Sequence, residues 1–119
     1  MSDPSLTINV EHMKRVTLVT VAGRVDSSNA AELDNTLKET MNDGNYNIVL
    51  NLSDVNYMSS AGLRALVSAL RECKKHRGDV RLSEPSERVA EVLDLAGLTV
   101  VEAPLFQVFD NNMAAVGSF

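Results

Sequence analysis

The apolar run Ile48 to Leu52, the polar turn after it, and the spacing of Leu63, Leu66, Val67, Leu70 and Cys73 constrain this chain more than any other feature. A short run rich in β-branched residues and Leu reads as a buried strand. The second pattern collects apolar residues on one helix face and leaves Arg64, Ser68, Arg71, Glu72 and Lys75 on the other. A strand that passes through a turn into an amphipathic helix is half of a βαβ unit, and such units build sheets with parallel strands. The turn, from Asp54 through Tyr57 and Met58 to Gly62, carries two hydroxyls where the helix begins. Ser59 or Ser60 would cap that helix by accepting from one of its unpaired first-turn N–H groups. Ala61 and Gly62 are small, so a second surface can approach closely.

The flanking segments repeat the alternation. Residues 1–4 read as a frayed start, after which Leu6, Ile8 and Val10 alternate with Thr7, Asn9 and Glu11 as in a half-buried strand. His12 to Arg15 form a polar turn, and the denser run Val16, Leu18, Val19, Val21, Ala22 suits an interior strand paired to the first as a hairpin. Asp26, Ser27 and Ser28 are competent caps for a helix carrying Ala30, Leu33, Leu37 and Met41, which stops at Asp43-Gly44. Gly78 is expected to end the central helix. Val80 and Leu82 predict a short fourth strand, and Val89, Val92, Leu93 and Ala96 a helix closed by Gly97. Leu98 to Val101 is expected as a fifth strand, broken by Pro104, and the tail from Asp110 as a short helix whose Ala114, Val116 and Phe119 cover the core.

The expected fold is therefore α/β, one domain over residues 1–119 with a mixed, mostly parallel five-stranded sheet begun by an antiparallel hairpin and about four helices. In such sheets sites collect at the carboxyl ends of the strands. Asp26-Ser27-Ser28 follows the second strand and Ser59-Ser60 the third, so the two loops should form one surface.

Charge and composition exclude several functions. A net charge of −5, with 11 Lys plus Arg against 16 Asp plus Glu, disfavours nucleic acid, which needs a basic face. The cluster Arg71, Lys74, Lys75, His76, Arg77 reads instead as cations complementing a helix C-terminus. No apolar run reaches the roughly 20 residues of a membrane span, and the N-terminus lacks a leader pattern, so a cytoplasmic location without membrane contact is expected. One Cys and two separated His supply no metal site, and no phosphate-cradling glycine loop occurs, so neither metal nor cofactor is expected. A Ser-His-Asp hydrolase would need a histidine near Ser60. His12 lies at the other end of the sheet and His76 more than about 20 Å away along the helix, so a binding module is expected rather than an enzyme.

Asn51-Leu52-Ser53-Asp54-Val55-Asn56-Tyr57-Met58-Ser59-Ser60-Ala61-Gly62-Leu63 resembles the signature of the STAS domain family, the anti-sigma factor antagonists. Gly23-Arg24-Val25-Asp26 resembles that family's Gly-x-Leu-Asp element, and Val92 to Leu98 its last helix and exit turn. Where many of the family carry aspartate, this chain has Ser59. The resemblance implies phosphorylation on Ser60, with Ser59 the second candidate. It also implies a partner surface of Asp26, Ser27, Ser28, Met58, Ser59, Ser60, Ala61, Gly62 and Arg64. The implied partners are an anti-sigma factor serine kinase and a cognate phosphatase. Unmodified, the chain would bind the kinase; phosphorylated, it would release it. The alternative is a partner-switching module acting on a signalling complex, a transporter or a lipid-transport assembly. The family resemblance also leaves nucleotide binding open.

Overall fold

The computed structural model describes residues 5–119, and the frayed start expected for residues 1–4 lies outside them. The chain runs β1 (Leu6–His12), β2 (Thr17–Val25), α1 (Ala30–Asn42), β3 (Asn47–Met58), α2 (Ser60–Lys75), β4 (Asp79–Ser83), α3 (Glu87–Leu95), β5 (Val108–Phe109) and α4 (Asn112–Gly117). The sheet order is β1-β2-β3-β4-β5, with β1 antiparallel to β2 and every other neighbour parallel. This is the expected α/β architecture.

Period-two alternation along β3 sorts its side chains onto two faces. Ile48, Leu50 and Leu52 join Val19, Val21, Val80 and Leu82 in the main core, against Leu33 and Leu37 of α1, Leu66 and Leu70 of α2 and Leu93 of α3. Val49 points the other way, with Val16 and Leu18, and meets Ala115, Val116 and Phe119 from the C-terminal segment. Ala115 is the buried alanine of α4, so the expected role of Ala114 passes to its neighbour. α4 is held by polar contacts as well: Asn51 donates to Asn112 Oδ1 at 2.7 Å, and the Ser83 hydroxyl donates to the same oxygen at 2.7 Å.

β3 continues six residues beyond Leu52 because two register shifts against β2, between Thr20 and Ala22 and between Gly23 and Arg24, reset the alternation. Val55 and Met58 consequently return to the core, and Asp54 and Asn56 stay in solvent. Strand-like polarity alone gives no sign of such bulges.

The fifth strand is not where it was expected. Val101 is 92% exposed, and Leu98 belongs to the end of α3, its N–H donating to the Leu93 carbonyl at 3.0 Å. The chain loops out and returns so that Leu105 and Phe106 both donate to the Leu98 carbonyl, which seats Phe106 in the core. Only then does Val108–Phe109 pair with β4. The apolar run at 98–101 was a loop rim, and burial of Phe106 decided the register.

The end of α2 also differs. Gly78 N–H donates to the Cys73 carbonyl at 2.8 Å and Arg77 N–H to Lys74, the paired bonds of a helix-closing turn. Arg77, with φ 63°, therefore occupies the left-handed position usually given to glycine. Gly78 is required for space, since a Cβ there would overlap the Tyr46 carbonyl. Gly78→Ala should destabilise the fold by about 1–3 kcal/mol through this overlap, whereas Arg77→Gly should stabilise it by roughly 1 kcal/mol by relieving the left-handed backbone. Urea denaturation of the two variants checks the pair of signs.

Candidate functional site

The carboxyl ends of β2 and β3 lie side by side, with Val25 opposite Met58 and the Ser59 N–H donating to the Val25 carbonyl at 2.8 Å. This bond joins the loop Asp26–Asn29 to the start of α2. Gly62 is buried against Val25 and Met58, and a Cβ there would overlap the Met58 sulfur. That contact holds the first turn of α2 down on the sheet end.

The two serines take different tasks. Ser59 is the N-cap: its backbone is extended and its hydroxyl accepts from the Gly62 N–H at 3.2 Å. Ser60 is the first helical residue, and it is exposed. Ala61 is half-buried, and Arg64 is exposed one turn on.

The neighbouring loop is ordered by its own polar groups. Asp26 does not cap α1, as expected from its type; the N-cap position is Asn29, and no side chain caps that helix by accepting from its first turn. Asp26 instead accepts from the Ser28 hydroxyl at 2.6 Å and the Ser28 N–H at 2.9 Å. Asn29 accepts from the Asp26 N–H and donates to the Arg24 carbonyl, both at 2.9 Å, which closes the loop onto β2. Ser27 is exposed at the tip. Arg24 pairs with Asp26 at 3.6 Å while its guanidinium lies 4.4 Å from the Tyr57 ring centroid. The Ser28 hydroxyl, then the Ser28 N–H, and more weakly Arg24, hold the Asp26 carboxyl below its ordinary 3.8 against the opposing effect of desolvation.

Composition and spacing missed what lies along α2. Ser60, Leu63, Arg64, Val67, Arg71 and Lys75 line one open groove of about 720 Å³, closed on its far side by Ala96 and Leu98. The helix buries Gly62, Ala65, Leu66, Ala69, Leu70 and Cys73, and Leu63 and Val67, expected on the same apolar face, are half-buried, packing against the core while walling the groove. The intervals 60, 64, 67, 71, 75 are a helical stripe, and that was the available signal. The basic cluster divides: Lys74 pairs with Asp79 at 3.4 Å, Lys75 and His76 pair with Glu72, and Arg71 joins the groove.

The histidines lie apart from this surface. His12 pairs with Thr17 at the opposite end of the sheet, and His76 stacks on Tyr46 beyond the last turn of α2. Burial, followed by the Asp79 and Glu72 carboxylates, pushes the Cys73 thiol up to about 12, so it stays protonated and unreactive. No group of three or more His, Cys, Asp or Glu able to hold a metal occurs among the described residues, nor does any helix there reach the length and apolarity to cross a membrane.

Because the folded Asp26 carboxyl titrates below 3.8, its stabilisation is complete above that unfolded value and is lost as pH falls through the lower folded one. Asp26→Asn should therefore be less stable than the parent near pH 7, with the difference shrinking as pH falls below 3.8 and through the lowered folded value, as read from urea midpoints across that range.

The STAS domain family model matches residues 7–112. The anti-sigma-B factor antagonist of Bacillus subtilis (strain 168) is 30% identical over 94 residues, covering 79% of this chain and 85% of the relative. The counterpart of the same name from Staphylococcus aureus (strain NCTC 8325) is 30% identical over 80 residues, covering 67% and 74%. Among solved structures, an anti-sigma factor antagonist from Mycobacterium paratuberculosis superposes with a TM-score of 0.84 at 24% identity, covering 99% of this chain and 97% of that one. The unphosphorylated form of the anti-sigma factor antagonist SpoIIAA superposes at 0.80 with 18% identity, covering 94% and 95%. With a family model spanning residues 7–112, from β1 through β5 to the first residue of α4, the chain belongs to the STAS domain family.

Proposed function

We propose that this chain is an anti-sigma factor antagonist, a ligand and substrate of its partner and not itself a catalyst. Unmodified, it docks on an anti-sigma factor with serine-kinase activity through the loop Asp26–Ser28 and the turn Ser59–Arg64, with Met58 and Gly62, buried beneath that turn, supporting it rather than touching the partner, and the bound sigma factor is set free. The kinase then moves the γ-phosphoryl group of ATP to the Ser60 oxygen: the bond to the β-phosphate breaks, ADP leaves, and the hydroxyl proton passes to a base of the kinase. A phosphatase restores the hydroxyl by hydrolysis.

The observation that carries this reading is the split between the serines. Ser59 spends its hydroxyl on the cap, whereas Ser60 presents its own at the rim. Two relatives that bear the name anti-sigma-B factor antagonist support the identity of the partner. A phosphate adds about −1.5 to −2 charges, and at the positive end of α2 it is tolerated with a benefit of ~0.3–1 kcal/mol. A docked partner fares worse, because it must desolvate that charge next to the ionised Asp26, at several kcal/mol. A loss of ~4 kcal/mol lowers affinity about a thousandfold.

With the cognate kinase, Ser60→Ala should take up no phosphate. Ser59→Ala should still be phosphorylated on Ser60 while losing about 1 kcal/mol of stability with the cap. Ser60→Glu should bind the kinase at least about a hundredfold more weakly than the parent. Phosphosite mapping and titration calorimetry read these outcomes, and undiminished label in Ser60→Ala would refute the assignment.

A further inference from the structure

The geometry points to Arg64 as the residue that captures the phosphate once Ser60 carries it, an ion pair closed within one turn of α2. This rests on Ser60 being the modified residue.

Ser60 and Arg64 are four residues apart in α2, so they stand on one face about 6 Å apart along the axis. Side chains on a helix lean toward its N-terminus, which carries the long Arg64 stem back over Ser60. Both residues are exposed, and both line the same groove. Arg64 is also uncommitted. Among the described residues it has no carboxylate within ion-pair distance, whereas Arg24 is engaged by Asp26 and Tyr57, and Lys75 by Glu72. Arg71 shares the stripe but lies about 16 Å along the axis, beyond the screening length of roughly 8 Å at physiological salt.

A planar guanidinium offers two parallel N–H donors to phosphate oxygens, which a lysine does not. Capture would do two things at once. It would fix the phosphate over the first turn, and it would withdraw Arg64 from the rim of the groove walled by Leu63, Val67 and Leu98. A partner whose carboxylate meets Arg64 in the unmodified protein then loses that contact in addition to meeting the new charge.

Phosphoserine can be placed at position 60 of the full chain during translation, which removes any dependence on the kinase. Phosphorus NMR titration then reads the second phosphate pKa directly. In Arg64→Gln this pKa should rise by about 0.3–0.7 pH unit relative to the parent, the size an exposed ion pair produces. Arg71→Gln, with the same change in net charge, should move it by less than about 0.1, and Arg64→Lys should recover only part of the shift. Equal shifts in Arg64→Gln and Arg71→Gln would reduce the effect to a general field and overturn the proposal. So would a larger shift in Arg24→Gln, which would place the clamp on the neighbouring loop. A kinase that fails to modify Ser60 would sink the functional reading while leaving this measurement intact.

Discussion

One hydrogen bond, from the Ser59 N–H to the Val25 carbonyl, brings the two loops of the candidate surface together. It follows the last paired residues of β2 and β3, Val25 and Met58, and so transmits the sheet register to the start of α2. A strand that slipped by one residue would send alternate side chains to the wrong face. The bulges along β2 and β3 act here: continuing the period of Ile48, Leu50 and Leu52 would turn Asp54 and Asn56 inward, whereas the first shift installs Val55 and the second returns the original period at Met58. Met58 then supplies the surface against which Gly62 rests. Register, bulge and glycine together set the height of Ser60 above the sheet end.

The second face of the sheet solves a different problem. It offers only a small apolar cluster, Val16, Leu18 and Val49, and a short helix suffices to cover it. Midway along β3 and at the carboxyl end of β4 the apolar residues give way to Asn51 and Ser83, both buried, whose polar groups converge on Asn112. Each buried amide or hydroxyl there has a partner, as burial demands. α4 is thus placed by matched hydrogen bonds as much as by area, and it covers a face that plays no part in the loop surface.

What could be read in the sequence follows from how local each cause is. The strand period of β1, the helical periods of α1 and α2, and the glycine closing α3 depend on neighbours a few residues away, and they were legible. The pairing of Asp26–Ser28 with Ser59–Ser60 was legible too, since it follows from strands that both end at one edge. The position of β5 was not, because Leu98–Val101 is as apolar as a strand and only the insertion of Phe106 decides which segment reaches β4. Gly78 has the composition of a helix terminator, yet its cause is the Tyr46 carbonyl, which lies in another part of the chain. The groove along α2 was hidden for a similar reason. Leu63 and Val67 lie on the apolar face of the helix, and only the packed structure shows that they are half-buried at its edge, touching the core on one side and the groove on the other.

The division of labour between Ser59 and Ser60 explains how a charge could be added here without cost to the fold. A phosphate on Ser59 would keep acceptors for the Gly62 N–H but would have to be accommodated at a half-buried position, where the capping geometry must shift to make room. On Ser60 it leaves the cap intact and lies where the first-turn N–H groups and Arg64 both favour negative charge. For a domain whose total stability is on the order of 5–15 kcal/mol, a charge at the exposed helix start is one the protein absorbs, whereas one that must be given room beside the sheet end draws on that margin. A partner switch needs the first kind, since both states must remain folded in order to be told apart.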